Sequence, residues 1–451
     1  MTGSRYLQIG LTILVLALAA YNLLDRITLQ GIYAFDEGRH VASAVEMVRS
    51  HHFLINTYGG QPDYYNAKPP LSMWGAALGY ALPVDPLLGL RLFTLLSALA
   101  TGIMVYVYAR RMAGWEAGLL ACLLLACIPF LLLRHGARTA DPDMLFVAFT
   151  TGALLALAGG TRRAMAVGFA LLGMAFLTKS FHAAPFSMAA FAYTALLCWR
   201  GQLRWHDLLL LPLCFFIPVL PWGVARYLTD GTQFFHVMIF YDLLARSTQI
   251  IEGHYTPPTF YTDSLLAALG PALFAMAICL CNRASLRLFR EPRGLLLLLW
   301  LLLPLTLYSL AKSKLYWYQY PLFPPLVIMI GATLATALRN GLHQIAGAVA
   351  VIVLIFNIAM NENEIYLTIQ LYGPTQNRVE TSLQQIASAG GPAPIPVYLE
   401  PEADFSRYQD WFSTAEMLGN ITLKQGGKAA FARDPAANAR LVDWNGNIST
   451  H

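Results

Sequence analysis

Charge is what this chain has least of. Asp, Glu, Lys and Arg make up 12% of its 451 residues, against about 25% in an ordinary soluble domain. With 57% hydrophobic residues and a mean hydropathy of +0.52, the shortage excludes a water-solvated globule. Cysteine is scarce as well, and all six (Cys122, Cys127, Cys198, Cys214, Cys279, Cys281) lie inside apolar runs. No CxxC or Cys/His metal spacing occurs, so neither a disulfide framework nor a zinc site is implied. Repeats and low-complexity tracts are absent. The net charge of +5 does not point to nucleic acid, because the Arg and Lys residues gather at the ends of apolar runs, where they orient a membrane protein.

What the chain does have is apolar runs near twenty residues, each long enough to cross a hydrocarbon core of about 30 Å. Candidate spans cover 6–24, 91–109, 117–133, 143–159, 164–178, 184–199, 207–225, 263–282, 294–311, 320–338 and 343–360. The first resembles a secretory signal, but its apolar part is longer than the usual h-region and many spans follow, so a retained helix is expected. Alternate connections carry Arg110 and Arg111, Arg162 and Arg163, Arg200 and Arg204, then Arg283, Arg287, Arg290 and Arg293, and finally Arg339. All are short, and the positive-inside rule makes that side cytoplasmic. The long connections, beginning with 25–90, then face outward, as does the C-terminus.

The fold expected is an all-α polytopic membrane protein of about 11 transmembrane helices. Segments 38–51 and 69–82, the second opened by Pro69 and Pro70 and closed by Pro83, read as amphipathic helices on the outer surface. From residue 362 polar residues, Gly and Pro become common and strand-like pieces such as IPVYL appear. A transmembrane domain over 1–361 and a small mixed α/β periplasmic domain over 362–451 are predicted.

The polar residues of interest collect in the outward loops. FDEGRH places Asp36 and Glu37 at the start of the first loop; a solvated loop end is the plain reading, and a general-base carboxylate the functional one. The same loop holds Tyr64 and Lys68, the lysine directly before Pro-Pro, where it either snorkels to the interface or holds a phosphate. The second loop, RHGARTADPD, carries Arg134, His135, Arg138, Asp141 and Asp143. Asp141 reads as a helix N-cap; Asp143, beyond Pro142, is harder to explain that way. Later loops supply Lys179 and His182, then Arg246, Glu252, His254 and Tyr261, then Lys312 and Lys314 beside Tyr316, Trp317, Tyr318 and Tyr320. Aromatics at an interface are ordinary belt residues, but outward lysines oppose the positive-inside trend and suggest a bound anion. Carboxylates to take a proton and cations to stabilise a departing phosphate suit a lipid-phosphate substrate at the membrane surface.

In order along the chain, DEGRHVASAVEMVRS, KPPLSMW, FLTKS, LPWGVARY, HYTPP and SKLYWYQYPLFPP resemble the lipid-linked-sugar glycosyltransferases of the C-type superfamily. The nearer branch contains bacterial lipid A aminoarabinose transferases and the more distant one protein O-mannosyltransferases. The resemblance implies an inverting glycosyltransferase that moves a sugar from a polyprenyl-phosphate donor to a periplasmic acceptor such as lipid A, lipopolysaccharide, another glycan or a protein. It implies catalytic roles for Asp36, Glu37 and Asp143. Lys68, Arg138 and Lys314 would bind the donor phosphate, and Tyr64, Lys179, His254 and Tyr318 the substrates. Relatives often carry Glu directly before KPP where this chain has Ala67, so a metal does not carry over from the family with the motif; cationic side chains can serve the departing lipid phosphate instead, and no metal and no cofactor are expected. The location expected is the bacterial inner membrane. A transporter or flippase of a lipid-linked sugar is the alternative, disfavoured because the spans from 91 to 178 are nearly free of charge and the polar groups sit at one face. A non-catalytic scaffold of a glycan-assembly complex is a third.

Overall fold

The computed structural model describes residues 2–250, 256–372, 378–391, 393–400, 402 and 404–451. Among them, eight helices are long and apolar enough to cross a membrane. One of these, Arg162–Trp199, is broken at Ser180, whose positive φ of 53° starts a 3-10 turn over Ser180–Ala183. Two shorter apolar helices, Trp115–Ala126 and Asp143–Leu157, accompany the eight.

The helices that frame the loops and the C-terminal unit are α1 (Thr2–Leu24), α2 (Asp36–Ser50), α3 (Leu71–Tyr80), α4 (Pro86–Ala113), α5 (Trp115–Ala126), α6 (Pro142–Leu157), α7 (Arg162–Lys179), α8 (Ala184–Trp199), α9 (Leu210–Asp230), α10 (Phe260–Leu280), α11 (Pro292–Leu310), α12 (Phe323–Arg339), α13 (Gln344–Leu367), α14 (Arg378–Ala389) and α15 (Gln409–Leu418). Local chemistry sets their starts. Asp85 accepts from the Leu88 N–H ahead of Pro86, and Thr161 accepts from the Ala164 N–H, in the usual capping manner. Asp141 occupies the N-cap position of α6 with Pro142 next, but its carboxylate makes no cap hydrogen bond. The N-cap role expected of its side chain is not played.

The bundle is organised around α12, which is buried from Phe323 to Ala337. Trp300, Phe186 and Tyr320 are among the largest fully buried side chains of the same core, with the Phe186 and Trp300 ring centroids 5.4 Å apart. α3 crosses α4 so closely that a Cβ on either Gly79 or Gly89 would collide with the facing carbonyl, the small-residue contact common in membrane helices.

The C-terminal unit holds a four-stranded sheet of β1 (Ile395–Glu400), β2 (Ile421–Lys424), β3 (Arg440–Asp443) and β4 (Ile448–Ser449), ordered β2-β1-β3-β4. β1 pairs in parallel with β2, in the register Ile395 to Ile421, and with β3, Val397 to Arg440. β4 is antiparallel to β3. Val397, Leu399 and Val442 pack on Leu383 of α14 and Trp411 of α15. α15 in turn lies on α2. The first-loop helix α2 is therefore not laid open on a surface: nine of its residues are buried, between α3 on one side and α15 on the other.

α2 is also tied down from below. Glu37 and Arg91 are fully buried side chains joined by two hydrogen bonds, at 2.8 and 3.1 Å. The carboxylate accepts as well from the N–H groups of Tyr33 and Ala140, both at 2.8 Å. Arg91 donates its remaining bonds to the carbonyls of Ile27, Gln30 and Gly31. A buried ion pair survives only with such complete satisfaction, and this one fastens the first loop to α4 and to the second loop.

Candidate active site

Where α2 begins, several interhelical loops converge. Asp36, its first residue, keeps 29% of its side chain exposed and so stays reachable. Lys68 Nζ lies 3.9 Å from its Oδ1 and His135 Nδ1 3.9 Å from its Oδ2. His135 Nδ1 is also 3.3 Å from a carboxylate oxygen of the fully buried Asp141, and its ring lies tilted against Trp317, with the centroids 4.0 Å apart. Behind this layer, Lys179 Nζ is bonded to Asp143 and stands 5.0 Å from the centre of the Tyr318 ring. His182 packs edge-on against Tyr318 at 4.3 Å.

Electrostatics follow from this packing. Burial alone would raise the Asp36 carboxyl, but the charges of Lys68 and His135, with Lys179 beyond them, outweigh it and hold the group well below the usual carboxylate range. Asp36 is thus an ionised base at every physiological pH. Burial disfavours charge on His135, yet Asp141, its hydrogen bond and Asp36 raise it to about 9, making it an imidazolium at neutral pH. His40 is pushed down to about 4, chiefly by burial and Lys68, and is neutral.

Asp36, His135 and Asp141 each offer one ligand atom, all within 4.8 Å of one another. That spacing can hold a divalent ion. A protonated His135 meets the same two carboxylates without one.

The sequence-predicted residues divide into three groups. Asp36, Lys68, Asp143, Lys179 and Tyr318 are brought together. Glu37, Arg138, Lys314 and Tyr64 face other partners. Glu37 is occupied by Arg91. Arg138 donates to the carbonyls of Asn22, at 2.8 Å, and Asp25, at the end of α1. Lys314 donates to the Thr256 carbonyl at 3.4 Å. Tyr64 bonds Asp230 at 3.3 Å, itself paired with Arg226, which holds the first loop through the Leu54 carbonyl. His254 lies outside the described residues.

Sequence reasoning misses one contributor. Asp242, in a π-helical turn over Val237–Ala245, pairs with Arg246 at 3.4 Å. Burial raises its carboxyl above the ordinary value, while Lys68, Arg246, Lys179 and Asp36 act on it from the cluster. No short motif marks Asp242; only the π-turn does, a feature frequent at functional sites. Backbone strain marks the site too. Of the five non-glycine residues with positive φ among the described residues, Phe35, His135 and Ser180 flank or belong to it, as strained residues at functional sites often do.

Residues 67–222 match the dolichyl-phosphate-mannose-protein mannosyltransferase family. The undecaprenyl phosphate-alpha-4-amino-4-deoxy-L-arabinose arabinosyl transferase of Pseudomonas aeruginosa is 30% identical over 339 residues, 72% of this chain and 60% of that protein. A Pseudomonas fluorescens enzyme of the same name is 27% identical over 374 residues, 77% of this chain and 65% of its own. The chain therefore spans about 60% of the length of the curated relatives it matches. The crystal structure of ArnT from Cupriavidus metallidurans bound to undecaprenyl phosphate superposes with a TM-score of 0.70 at 19% identity, covering 94% of this chain and 88% of that one. The archaeal oligosaccharyltransferase AglB from Archaeoglobus fulgidus gives 0.55 at 11% identity, covering 92% and 64%. The chain is similar in sequence to the bacterial aminoarabinose transferases and shares the fold of the ArnT structure.

Proposed function

We propose that this chain is an inverting glycosyltransferase of the bacterial inner membrane, moving a sugar from an undecaprenyl-phosphate donor to a hydroxyl or phosphate of lipid A on the periplasmic side. The observation that carries the reading is the reachable, ionised Asp36 with Lys68 and His135 on either side. Asp36 takes the proton of the acceptor hydroxyl as its oxygen attacks the anomeric carbon. For an acceptor already ionised, as a phosphate is, Asp36 orients rather than deprotonates. The bond from that carbon to the donor phosphate oxygen breaks on the opposite face, which inverts the centre. The departing phosphodiester becomes a phosphomonoester and gains one negative charge, which Lys68, with Arg246 and Lys179 behind it, is placed to stabilise. Asp143 fixes Lys179, and Tyr318 fills the wall beside it.

Eleven spans belong to the same reading: the eight long helices, the break at Ser180 that divides one into two, and α5 and α6 as short spans. The basic connections then all lie in the cytoplasm and the site and C-terminal unit in the periplasm. We place the domain boundary near residue 361 in function, although α13 continues to Leu367.

Mass spectrometry of lipid A from cells with and without the chain tests the proposal. Loss of one sugar mass on deletion, restored by the intact gene, supports it and names the sugar. Donor accumulating on the cytoplasmic leaflet of the deletion strain, rather than on the periplasmic one, would favour a flippase instead, and an unchanged glycan profile would contradict the proposal.

A further inference from the structure

The C-terminal unit reaches the backbone on either side of the proposed base. Phe35, the residue before Asp36, has φ 66° and ψ −106°, a γ-turn-like conformation that is rare and strained for a residue with a side chain. Its N–H donates to Oε1 of Gln409 at 3.1 Å. Gln409 opens α15 and is buried, and its amide nitrogen donates to the Ser406 carbonyl, so the orientation of the acceptor oxygen is set from within the C-terminal unit. Three residues on, Gly38 meets the same residue: a Cβ there would lie 2.8 Å from Gln409 Cβ and 2.9 Å from its carbonyl carbon and oxygen. The backbone on both sides of Asp36 is thus pressed against Gln409.

We propose that Gln409 is a positioning residue for Asp36, holding the strained Phe35 turn so that the carboxylate points between Lys68 and His135. The inference rests on Asp36 acting as the proton acceptor. Strained conformations persist only where the surroundings over-determine them; here the Gln409 contact and the Gly38 approach supply that constraint from a unit of the chain far away in sequence. Released, Phe35 relaxes toward a negative φ and carries Asp36 off its line to the acceptor.

Gln409→Met keeps the volume and removes the acceptor oxygen. In the full-length protein in lipid nanodiscs, kcat for sugar transfer is expected to fall about tenfold or more, since small misplacement of a reacting group carries such factors. KM for the donor and binding of undecaprenyl phosphate should stay within about twofold, as Lys68 is untouched. Arg49→Ala loosens the same α2–α15 interface by removing the exposed Arg49–Glu416 pair and should leave kcat unchanged.

Full kcat in Gln409→Met overturns the inference. So does a rise in donor KM matching the fall in kcat, or an Arg49→Ala defect of equal size, because either would show general loosening. Should Gln409→Met fail to bind undecaprenyl phosphate, Gln409→Asn and Gly38→Ala decide, and loss of binding in all three overturns it. No transfer by the unmodified chain fells the enzymatic reading and this inference together, an outcome separable from the rest because it appears before any substitution.

Discussion

Lys68 Nζ stands 3.9 Å from Asp36 Oδ1, near enough to hold the carboxylate ionised and too far for a strong hydrogen bond. The gap matters for the proposed chemistry. A cation bonded tightly to the base would compete with the acceptor's proton, whereas one set back can stabilise the base and still turn to a phosphate.

Lys68→Met should therefore weaken donor binding more than it changes the base. A charge-assisted hydrogen bond to phosphate is worth about 1.5–3 kcal/mol, so the Kd for undecaprenyl phosphate should rise roughly tenfold to a hundredfold. Titration calorimetry in nanodiscs measures it. An unchanged Kd would move the phosphate to Arg246 or Lys179.

Glu37→Gln separates structure from catalysis. It leaves the buried Arg91 guanidinium without its anion, a loss of about 3–5 kcal/mol for a broken buried pair, visible as a large drop in Tm and in yield. The fraction that folds should retain donor binding. A variant of native Tm with no activity would instead return Glu37 to the catalytic set.

His135 links stability to pH in metal-stripped protein. Its folded-state value of about 9 lies above the free value of about 6.5, so the imidazolium favours the folded form. That stability, roughly 3 kcal/mol at most, is complete below pH 6.5 and disappears as pH rises through about 9. Thermal melts from pH 6 to pH 10 should show Tm declining in this window, and His135→Ala should flatten the decline. Transfer should survive exhaustive chelation; activity lost on chelation and restored by one divalent ion would assign Asp36, His135 and Asp141 to a metal instead.

Much of the architecture was legible because hydrophobic length and loop charge are additive signals, readable without knowing any contact. The runs behind α1, α4, α7 and α8 are examples. The convergence of Asp36, Lys68, Asp143, Lys179 and Tyr318 was legible in a weaker way: polar residues are costly beside a membrane, so those kept in outward loops had few reasons to be there. The same logic failed to sort Glu37, Arg138, Lys314 and Tyr64, whose partners are Arg91, two carbonyls at the end of α1, the Thr256 carbonyl and Asp230. Residue type announces a charge but not whether it meets a ligand or a backbone oxygen. Gln409 was hidden for another reason. Its role comes from the packing of α15 on α2, a contact spanning 374 residues of sequence.

The central claim is that Asp36 takes the acceptor's proton. Asp36→Asn keeps the size and removes the charge, and single-turnover transfer from an undecaprenyl-phosphate sugar to lipid A in nanodiscs reads the chemical step directly. A fall of about 10²–10⁴-fold is expected, the usual range for a positioned base, with binding of undecaprenyl phosphate intact. Transfer within about threefold of the unmodified rate would contradict it.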